Sequence, residues 1–357
     1  MKRKSFRKSM KTLVLCLTGL LLLCVYGCAA AGEEEVVVEE EDGKIQIGIC
    51  FDSFLIERWE RDRDIFVSTA KELGAEVNVQ NANGNLEEQI SQIEYLIEKK
   101  MDVIVIIGID GDGLAEVVKE AKDKGIIVIA YDRMIHNADA DLYISFDNEK
   151  VGTLMGEAMV GAGLSNKKVL MLAGPTTDDN VAMVNSGFEK VMNENHIQIV
   201  DVMHADNWKP EYASDYIYDH PEVLEEVDGI MCGNDSLATH TIRVLAEKRK
   251  AGNIVVTGQD AELEACQRIV EGTQLMTVYK PVEREARMAA ECAIALAKGE
   301  EIGEINRTMN DGTYEIPGIV LEPVAVNKEN MDETIIESGF HLREEVYLNV
   351  SDLAGKE

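Results

Sequence analysis

Residues 103–131 have the sequence VIVIIGIDGDGLAEVVKEAKDKGIIVIAY. The continuous apolar run over 103–107 predicts a buried parallel strand, because such a strand is covered on both faces. A helix is predicted over 114–124, ending before Gly125, and a second apolar run predicts a strand over 126–131. This succession of strand, helix and strand indicates an α/β protein with a parallel sheet.

The same alternation continues on both sides of this unit. Towards the N-terminus, strands are predicted over 45–51 and 76–79, each followed by an amphipathic helix. A short strand over 143–146 closes the first half, and the alternation restarts at 151 and runs to a helix over 282–298. Two such runs predict two doubly wound parallel-sheet lobes. A closed (β/α)₈ barrel is the competing fold, but the number of units exceeds eight.

The N-terminal segment has the pattern of an export signal. Six basic residues within the first eleven precede an apolar core over 13–26, which is short for a membrane span. The core ends in VYGC (residues 25–28), which resembles a bacterial lipobox. We therefore expect a lipoprotein signal peptide over 1–27 and a lipid on Cys28, and the alternative is an ordinary signal peptide with a chance cysteine.

Charge separates this segment from the rest of the chain. The formal net charge is −31, and without the six basic residues of 1–27, 29 Lys and Arg face 66 Asp and Glu, a net charge of −37. A field of this sign repels a phosphate backbone, so the composition argues against a nucleic-acid partner. Seven acids between 33 and 42 predict a solvated acidic tether over 28–43.

Polar side chains follow the predicted strands. Because the carboxyl ends of parallel strands face the ligand crevice in open α/β sheets, these side chains should line a cleft between the lobes. They include Arg58, Trp59, Asp132, Arg133, Asp147, Asn148, Trp208, Asn234, Asp260 and Lys280. Carboxylates, amides and cations suit the hydroxyl edges of a sugar, and the two indoles suit its apolar faces.

Each of these residues also has a structural interpretation. Asp147, Asn234 and Asp260 stand at loop-to-helix junctions, where helix N-caps are common. Trp59 could pack between the lobes, Trp208 could be a loop lid, and Arg133 could simply pair with Asp132. The pattern alone therefore predicts a polar ligand cleft without identifying the ligand.

Six motifs resemble the D-xylose-binding proteins of bacterial ABC sugar importers. They are ERWERDRDIFV (57–67), NANGN (81–85), AYDRMI (130–135), YISFDNEKVG (143–152), TGQDA (257–261) and MTVYKP (276–281). The resemblance runs from about 44 to about 340 and is loose over 172–180 and 231–241. It implies a type I periplasmic binding protein fold, in which two lobes joined by three hinge segments close on one monosaccharide.

The resemblance also implies domain boundaries and ligand contacts. The first lobe is expected over 44–147 plus 281–315, the second over 148–280 plus 316–341, and a tail over 342–357. The ligand contacts are expected at Arg58, Trp59, Asp132, Arg133, Asn148, Trp208, Asn234, Asp260 and Lys280. The implied partners are a monosaccharide, with xylose favoured, and an ABC permease with its ATPase. A membrane-anchored, extracytoplasmic monomer is expected.

Three other functions compete with sugar transport. A sugar-sensing module that signals to a membrane histidine kinase would share this fold, and the sequence does not separate it from transport. An enzyme is disfavoured, because the six histidines form no HExxH motif and no cofactor or metal spacing is evident. Cys50, Cys232, Cys266 and Cys292 lie in apolar stretches and are expected to be buried free thiols. A sugar-responsive repressor would need a helix-turn-helix where the export signal stands.

Overall fold

The structure is a computed structural model that describes residues 43–350. The signal peptide, Cys28 and nearly all of the predicted tether lie outside the described residues. Within the described part, residues 45–350 form one compact unit. The strands of the described part are β1 (Gln46–Phe51), β2 (Glu76–Asn81), β3 (Val103–Ile106), β4 (Ile127–Tyr131), β5 (Leu142–Phe146), β6 (Lys168–Ala173), β7 (Gln198–His204), β8 (Gly229–Cys232), β9 (Val255–Gln259), β10 (Met276–Tyr279), β11 (Arg307–Asn310), β12 (Glu315–Leu321) and β13 (Val324–Val326).

Helices connect these strands. They are α1 (Arg58–Glu72), α2 (Leu86–Glu98), α3 (Ala115–Asp123), α4 (Asn148–Ala162), α5 (Asp179–Glu194), α6 (Glu211–Asp219), α7 (Val223–Glu226), α8 (Asp235–Glu247), α9 (Leu263–Glu271), α10 (Val282–Ala297) and α11 (Arg343–Val346). A single 3₁₀ turn, Asp206–Trp208, and a π-helical turn, Asp332–Ile336, complete the set. No helix within 43–350 combines the length and apolarity needed to cross a bilayer.

The strands form two separate sheets, each mainly parallel. The first has the order β11-β12-β5-β4-β3-β1-β2 and the second the order β13-β10-β9-β8-β6-β7. The apolar run VIVI of β3 is buried throughout, as its sequence predicts. We call the first sheet with α1–α3 and α10 the first lobe, and the second sheet with α4–α9 the second lobe. Two doubly wound lobes are therefore confirmed, and the (β/α)₈ barrel is wrong.

The chain passes between the sheets three times, and one predicted boundary is wrong. The passages follow β5, β10 and β12. β12 pairs in parallel with β5, so residues up to Leu321 belong to the first sheet. The predicted break at 315 wrongly assigns 316–321 to the second lobe. The third passage lies between β12 and β13, which pairs antiparallel with β10.

The C-terminal segment packs on the second lobe. Met331, Ile335, Phe340, Val346 and Tyr347 are buried in one apolar cluster with α9 and β10 residues. The prediction of a tail is therefore wrong for residues 342–350, which pack on the second lobe. Val350 is the last described residue. The four cysteines of the described part are buried and free, as predicted, and burial raises the pKa of the Cys50 and Cys232 thiols to about 12.

Candidate functional site

A cavity lies between the two lobes. It is lined by Ile56, Arg58, Trp59, Asp132, Arg133, Asp178, Asn180, Trp208, Gln259, Asp260 and Lys280. Most of these residues follow the carboxyl ends of β1, β4, β6, β7, β9 and β10, so the strand-end principle locates the cavity correctly.

Arg58 organises the wall formed by the first lobe. Its Nη1 lies 2.9 Å from Asp132 Oδ2, and its Nη2 lies 2.6 Å from Glu285 Oε2. Nη2 also lies 3.3 Å from Asp62 Oδ1, to which the Tyr131 hydroxyl donates. These side chains are buried, so one guanidinium contacts three carboxyl groups away from bulk water.

The three carboxyl groups differ in pKa, because burial and neighbouring charges affect them differently. Burial raises the pKa of Glu285 well above its usual range, despite the adjacent Arg58, and it also raises the pKa of Asp62. Burial acts on Asp132 in the same direction, but Arg58, Lys280 and Arg133 outweigh it and lower the pKa of Asp132. Asp132 is therefore the anion of this group that faces the cavity.

Arg133 and its partners join the two lobes. Arg133 Nη1 lies 2.8 Å from Asp52 Oδ2 in the first lobe, and its Nε lies 2.8 Å from Asp178 Oδ2 in the second. From the second lobe, Asn180 Nδ2 donates to Asp132 Oδ1 at 2.8 Å. The described conformation is therefore closed, with polar contacts running across the cavity.

The two tryptophans occupy opposite lobes and are both buried. The guanidinium of Arg58 lies 4.3 Å from the ring centroid of Trp59, which is cation–π distance. The indole of Trp208 donates to Asp178 Oδ2 at 3.1 Å. Trp208 fits because Gly174 has no side chain, since a Cβ there would lie 2.4 Å from the indole ring.

The wall formed by the second lobe uses unusual backbone conformations. Asp260 has a φ of 95° and Trp208 a φ of 58°, in the left-handed region that residues with a side chain disfavour. The Asp260 carboxylate lies 2.9 Å from Lys280 Nζ. Such strained positions persist where surrounding contacts hold them, and they concentrate at binding sites.

Among the buried polar atoms at or next to the cavity, four have neither a hydrogen-bond partner nor an ion pair within the described part of the chain. They are Trp59 Nε1, Asn180 Oδ1, Asn234 Nδ2 and Gln259 Oε1. Buried groups of this kind are rarely left unpaired in proteins, because desolvation without compensation is costly. The cations of the cavity are already paired with carboxylates, so the unpaired atoms favour a neutral ligand with several hydroxyl groups.

Seven of the nine predicted contacts line the cavity, and Asn148 and Asn234 do not. Asn148 starts α4 and its Nδ2 donates to Ser145 Oγ at 3.3 Å. Asn234 Oδ1 accepts from the Leu237 amide at 2.9 Å, so the N-cap interpretation is confirmed for Asn234. It is also confirmed for Asp147, which caps α4. Asp260 lies outside the cap of α9, which falls on Glu262.

The predicted contacts do not include Asp178, Asn180 or Gln259, although Gln259 was recognised with Asp260 at the end of a predicted strand. Asp178 and Asn180 follow β6 as the other lining residues follow their strands, so the same rule would have selected them. Asp178 also caps α5, accepting from the Asn180 amide at 3.0 Å. Within 43–350 no cluster of three or more His, Cys, Asp or Glu is arranged to hold a metal ion.

The chain is similar in sequence to known periplasmic binding proteins. Residues 47–301 match the periplasmic binding protein domain. The chain is 42% identical over 308 residues to the D-xylose-binding periplasmic protein of Haemophilus influenzae, covering 85% of this chain and 92% of that protein. It is 42% identical to the protein of the same description from Escherichia coli, again over 85% of this chain and over 93% of that protein.

Solved structures agree with this relationship. An ABC transporter solute-binding protein from Clostridium phytofermentans with bound β-D-glucose superimposes with a TM-score of 0.76 at 26% identity. The match covers 84% of this chain and 99% of that chain. A carbohydrate transporter solute-binding protein from Chloroflexus aurantiacus, in complex with D-glucose, gives a TM-score of 0.77 at 25% identity and covers 84% and 98% of the two chains.

Proposed function

The chain belongs to the periplasmic binding protein family, and from that premise we propose that it captures D-xylose in the cavity between its lobes for an ABC importer. It is an extracytoplasmic binding protein and not an enzyme. Xylose is supported by two relatives at 42% identity that are described as D-xylose-binding. Nothing among these relatives supports the alternative of signalling to a histidine kinase.

The observation that carries the proposal is the set of unpaired polar atoms around a cavity that both indoles line. In the proposed complex the sugar lies between Trp59 and Trp208, and its hydroxyl groups pair with Asn180, Gln259 and the Trp59 indole. The proposed ligand contacts are Arg58, Trp59, Asp132, Arg133, Trp208, Asp260 and Lys280, extended by Asp178, Asn180 and Gln259. Asn148 and Asn234 remain proposed contacts that act from just behind the wall.

Binding is proposed to select the closed form of a hinged monomer. The lobes are joined at the three passages after β5, β10 and β12, which are the hinge segments of the proposal. A sugar that contacts both walls stabilises the closed form, because the open form offers only one wall at a time. The permease is then proposed to recognise the closed pair of lobes.

Isothermal titration calorimetry of residues 44–357 against a panel of pentoses and hexoses tests the ligand. We expect one D-xylose per protein, and we expect Trp208→Ala to lose most of the affinity because the indole covers one side of the cavity. Tyr212→Ala is the matched control, since Tyr212 is an exposed aromatic residue in the following helix. No heat with xylose and a clear isotherm with another sugar would refute xylose.

Membrane attachment is proposed to occur through a lipid on Cys28. A body with a net charge near −37 is repelled by an anionic surface, so attachment needs a lipid rather than a basic patch. Expression of the full chain and of Cys28→Ser, followed by fractionation and intact-mass measurement, tests this proposal. We expect the variant to leave the membrane fraction and to lack the added lipid mass.

A further inference from the structure

The turn formed by Asp260 and Ala261 is a strained part of the cavity wall. Their φ angles are 95° and 53°, and neither residue is glycine. Ala261 has no polar side chain to support a left-handed conformation by itself. Because Asp260 faces the cavity and pairs with Lys280, the position of its carboxylate depends on how this turn is held.

The neighbouring strand β10 holds the amide groups of the turn. The Asp260 amide donates to the Val278 carbonyl at 2.8 Å, and the Ala261 amide donates to Thr277 Oγ1 at 3.1 Å. The Thr277 hydroxyl in turn donates to Asp235 Oδ2 at 2.7 Å. Asp235 approaches closely because Gly258 lacks a Cβ, which would lie 2.2 Å from Asp235 Oδ1.

The carbonyl of the turn is held from a distant part of the chain. The Ala261 oxygen lies 2.8 Å from His341 Nε2, across 80 positions of sequence. The other contact of this oxygen is a weak one, from the Cys266 thiol at 3.6 Å. His341 is buried, and burial lowers the pKa of its imidazole, so the neutral ring donates its Nε2–H.

The segment around His341 is itself fixed next to the site. The Phe340 ring packs at 4.8 Å from Tyr279, the residue before Lys280. The Arg61 guanidinium of the first lobe lies 4.0 Å from the Phe340 ring centroid. His341 is therefore presented to the turn by a packed aromatic residue rather than by a free chain end.

We infer that His341 is a positioning residue of the sugar site, which acts through the Ala261 carbonyl to preset the carboxylate of Asp260. This inference rests on the proposed function. Presetting a group before the sugar arrives removes an ordering cost from binding, so loss of the contact should appear as weaker affinity.

Calorimetry with D-xylose on the mature chain and on three variants is the first test. His341→Leu removes the donor, and we expect about five- to tenfold weaker binding, the usual effect of one lost hydrogen bond. His341→Gln keeps an N–H donor at a similar reach, and we expect about twofold loss or less. Tyr347→Phe removes a hydrogen bond of the same segment, to Asp332 Oδ1 at 2.9 Å, and should leave affinity unchanged.

A double-mutant cycle with Asp260→Asn separates positioning from a general structural role. If His341 acts through Asp260, the loss caused by His341→Leu should shrink to about twofold or less in the Asp260→Asn background. An undiminished loss in that background would overturn the inference, as would wild-type affinity in His341→Leu. Equal losses in His341→Leu and His341→Gln would overturn it as well.

Two further outcomes are covered by the design. If His341→Leu does not fold, His341→Asn replaces it, because an Asn side chain is too short to reach the Ala261 oxygen while His341→Gln is not. If the wild-type protein does not bind xylose, the proposed ligand fails. The same variants are then compared with the sugar that gives the largest thermal shift, and their ratios decide the inference separately.

Discussion

The two walls of the cavity are held in place by different forces. In the first lobe, buried charge fixes the wall, since Arg58 pairs with Asp132, Glu285 and Asp62 in a dry environment. In the second lobe, close packing and backbone shape hold the wall together with the buried pair of Asp260 and Lys280. Trp208 lies against Gly174, and the Asp260 turn adopts a left-handed backbone supported by hydrogen bonds.

This difference indicates which changes each wall tolerates. A wall built on buried charge should fail when a charge is removed and should respond to pH, because the unpaired partners stay buried. A wall built on shape should fail when a single methyl group is added, because close packing leaves no space. Four predictions test this division.

The largest effect is expected in the first lobe. Arg58→Met leaves Asp132, Glu285 and Asp62 buried without their shared cation, and we expect a loss of about 3–5 kcal/mol in the free energy of unfolding. Urea-induced unfolding followed by circular dichroism measures it. Arg284→Met is the control, because Arg284 is exposed and its pair with Glu304 spans 4.0 Å; its loss should stay below about 1 kcal/mol. Similar losses in both variants would contradict the role of buried charge.

The second prediction concerns the wall built on shape. In Gly174→Ala the new Cβ would lie 2.4 Å from the Trp208 ring, so the ring must move. We expect about 1–3 kcal/mol of destabilisation and a marked loss of xylose affinity. The measurements are urea unfolding and calorimetry.

Gly161→Ala provides the matched control for this substitution. Gly161 lies in α4 with no atom within 4 Å of its added Cβ, so alanine should stabilise the helix by up to about 1 kcal/mol. Unchanged xylose binding in Gly174→Ala would show that the position of Trp208 does not depend on this contact.

The third prediction tests the charge state of Glu285. Burial raises the pKa of Glu285 well above its usual range, so the folded protein retains a proton that the unfolded chain releases near pH 4.3. Its contribution to stability is therefore complete at acidic pH and is lost as the pH rises towards the folded-state pKa. Glu285→Gln keeps a neutral group at every pH. Between about pH 5 and pH 8, its free energy of unfolding should rise by about 1 kcal/mol relative to that of the wild type. The difference stays this small because Asp62 can take up part of the titration.

Urea unfolding at both pH values measures this difference. Glu283→Gln, an exposed neighbour on α10, should show no such trend. A loss of several kcal/mol in Glu285→Gln at both pH values would mean that Glu285 is ionised in the folded protein.

The sequence predicted the parts of the molecule that depend on local patterns. The strands and helix of 103–131 lie within one or two residues of their predicted bounds, because buried parallel strands leave a clear apolar signature. Strand-end polarity located seven lining residues in the same way. Asp178 and Asn180 were missed because they lie several residues beyond the end of β6, in the segment 172–180 where the resemblance is loose.

Non-local features were beyond the reach of these patterns. Whether β12 pairs with the first or the second sheet is decided by which sheet edge is free, and nothing in residues 315–321 encodes that choice. The contact between His341 and the Ala261 carbonyl likewise joins positions 80 residues apart. In both cases, the packing of the whole chain determines the outcome.

The smallest expected effect lies at the edge of the cleft, where the two walls meet. His136 of the first lobe contacts Asp112 Oδ1 through Nδ1 at 2.8 Å, and its Nε2 contacts Asp179 Oδ2 of the second lobe. Partial burial acts to lower the pKa of His136, but the hydrogen bonds to Asp112 and Asp179 outweigh it and raise the pKa. Opening the cleft removes Asp179 and keeps Asp112, so the closed form should bind its proton more tightly than the open form.

Charged His136 should therefore favour closure. Its contribution to the stability of the closed form is complete below the pKa of the open form, and it disappears as the pH rises through the raised pKa of the closed form. We expect the xylose affinity of the wild-type protein to fall by about two- to fivefold between about pH 6 and pH 8.5, an effect typical of partly exposed charge pairs. Burial also raises the pKa of Asp52 and of Asp178 beside the cavity. Their titration makes xylose affinity fall with rising pH as well, and His136→Gln retains this part of the pH dependence. The decisive quantity is thus the difference in slope between wild type and His136→Gln, measured by calorimetry across this range. Parallel slopes would show that His136 does not couple proton binding to closure, whereas a shallower slope in the variant would show that charge acts at the junction of the walls as well as inside the first one.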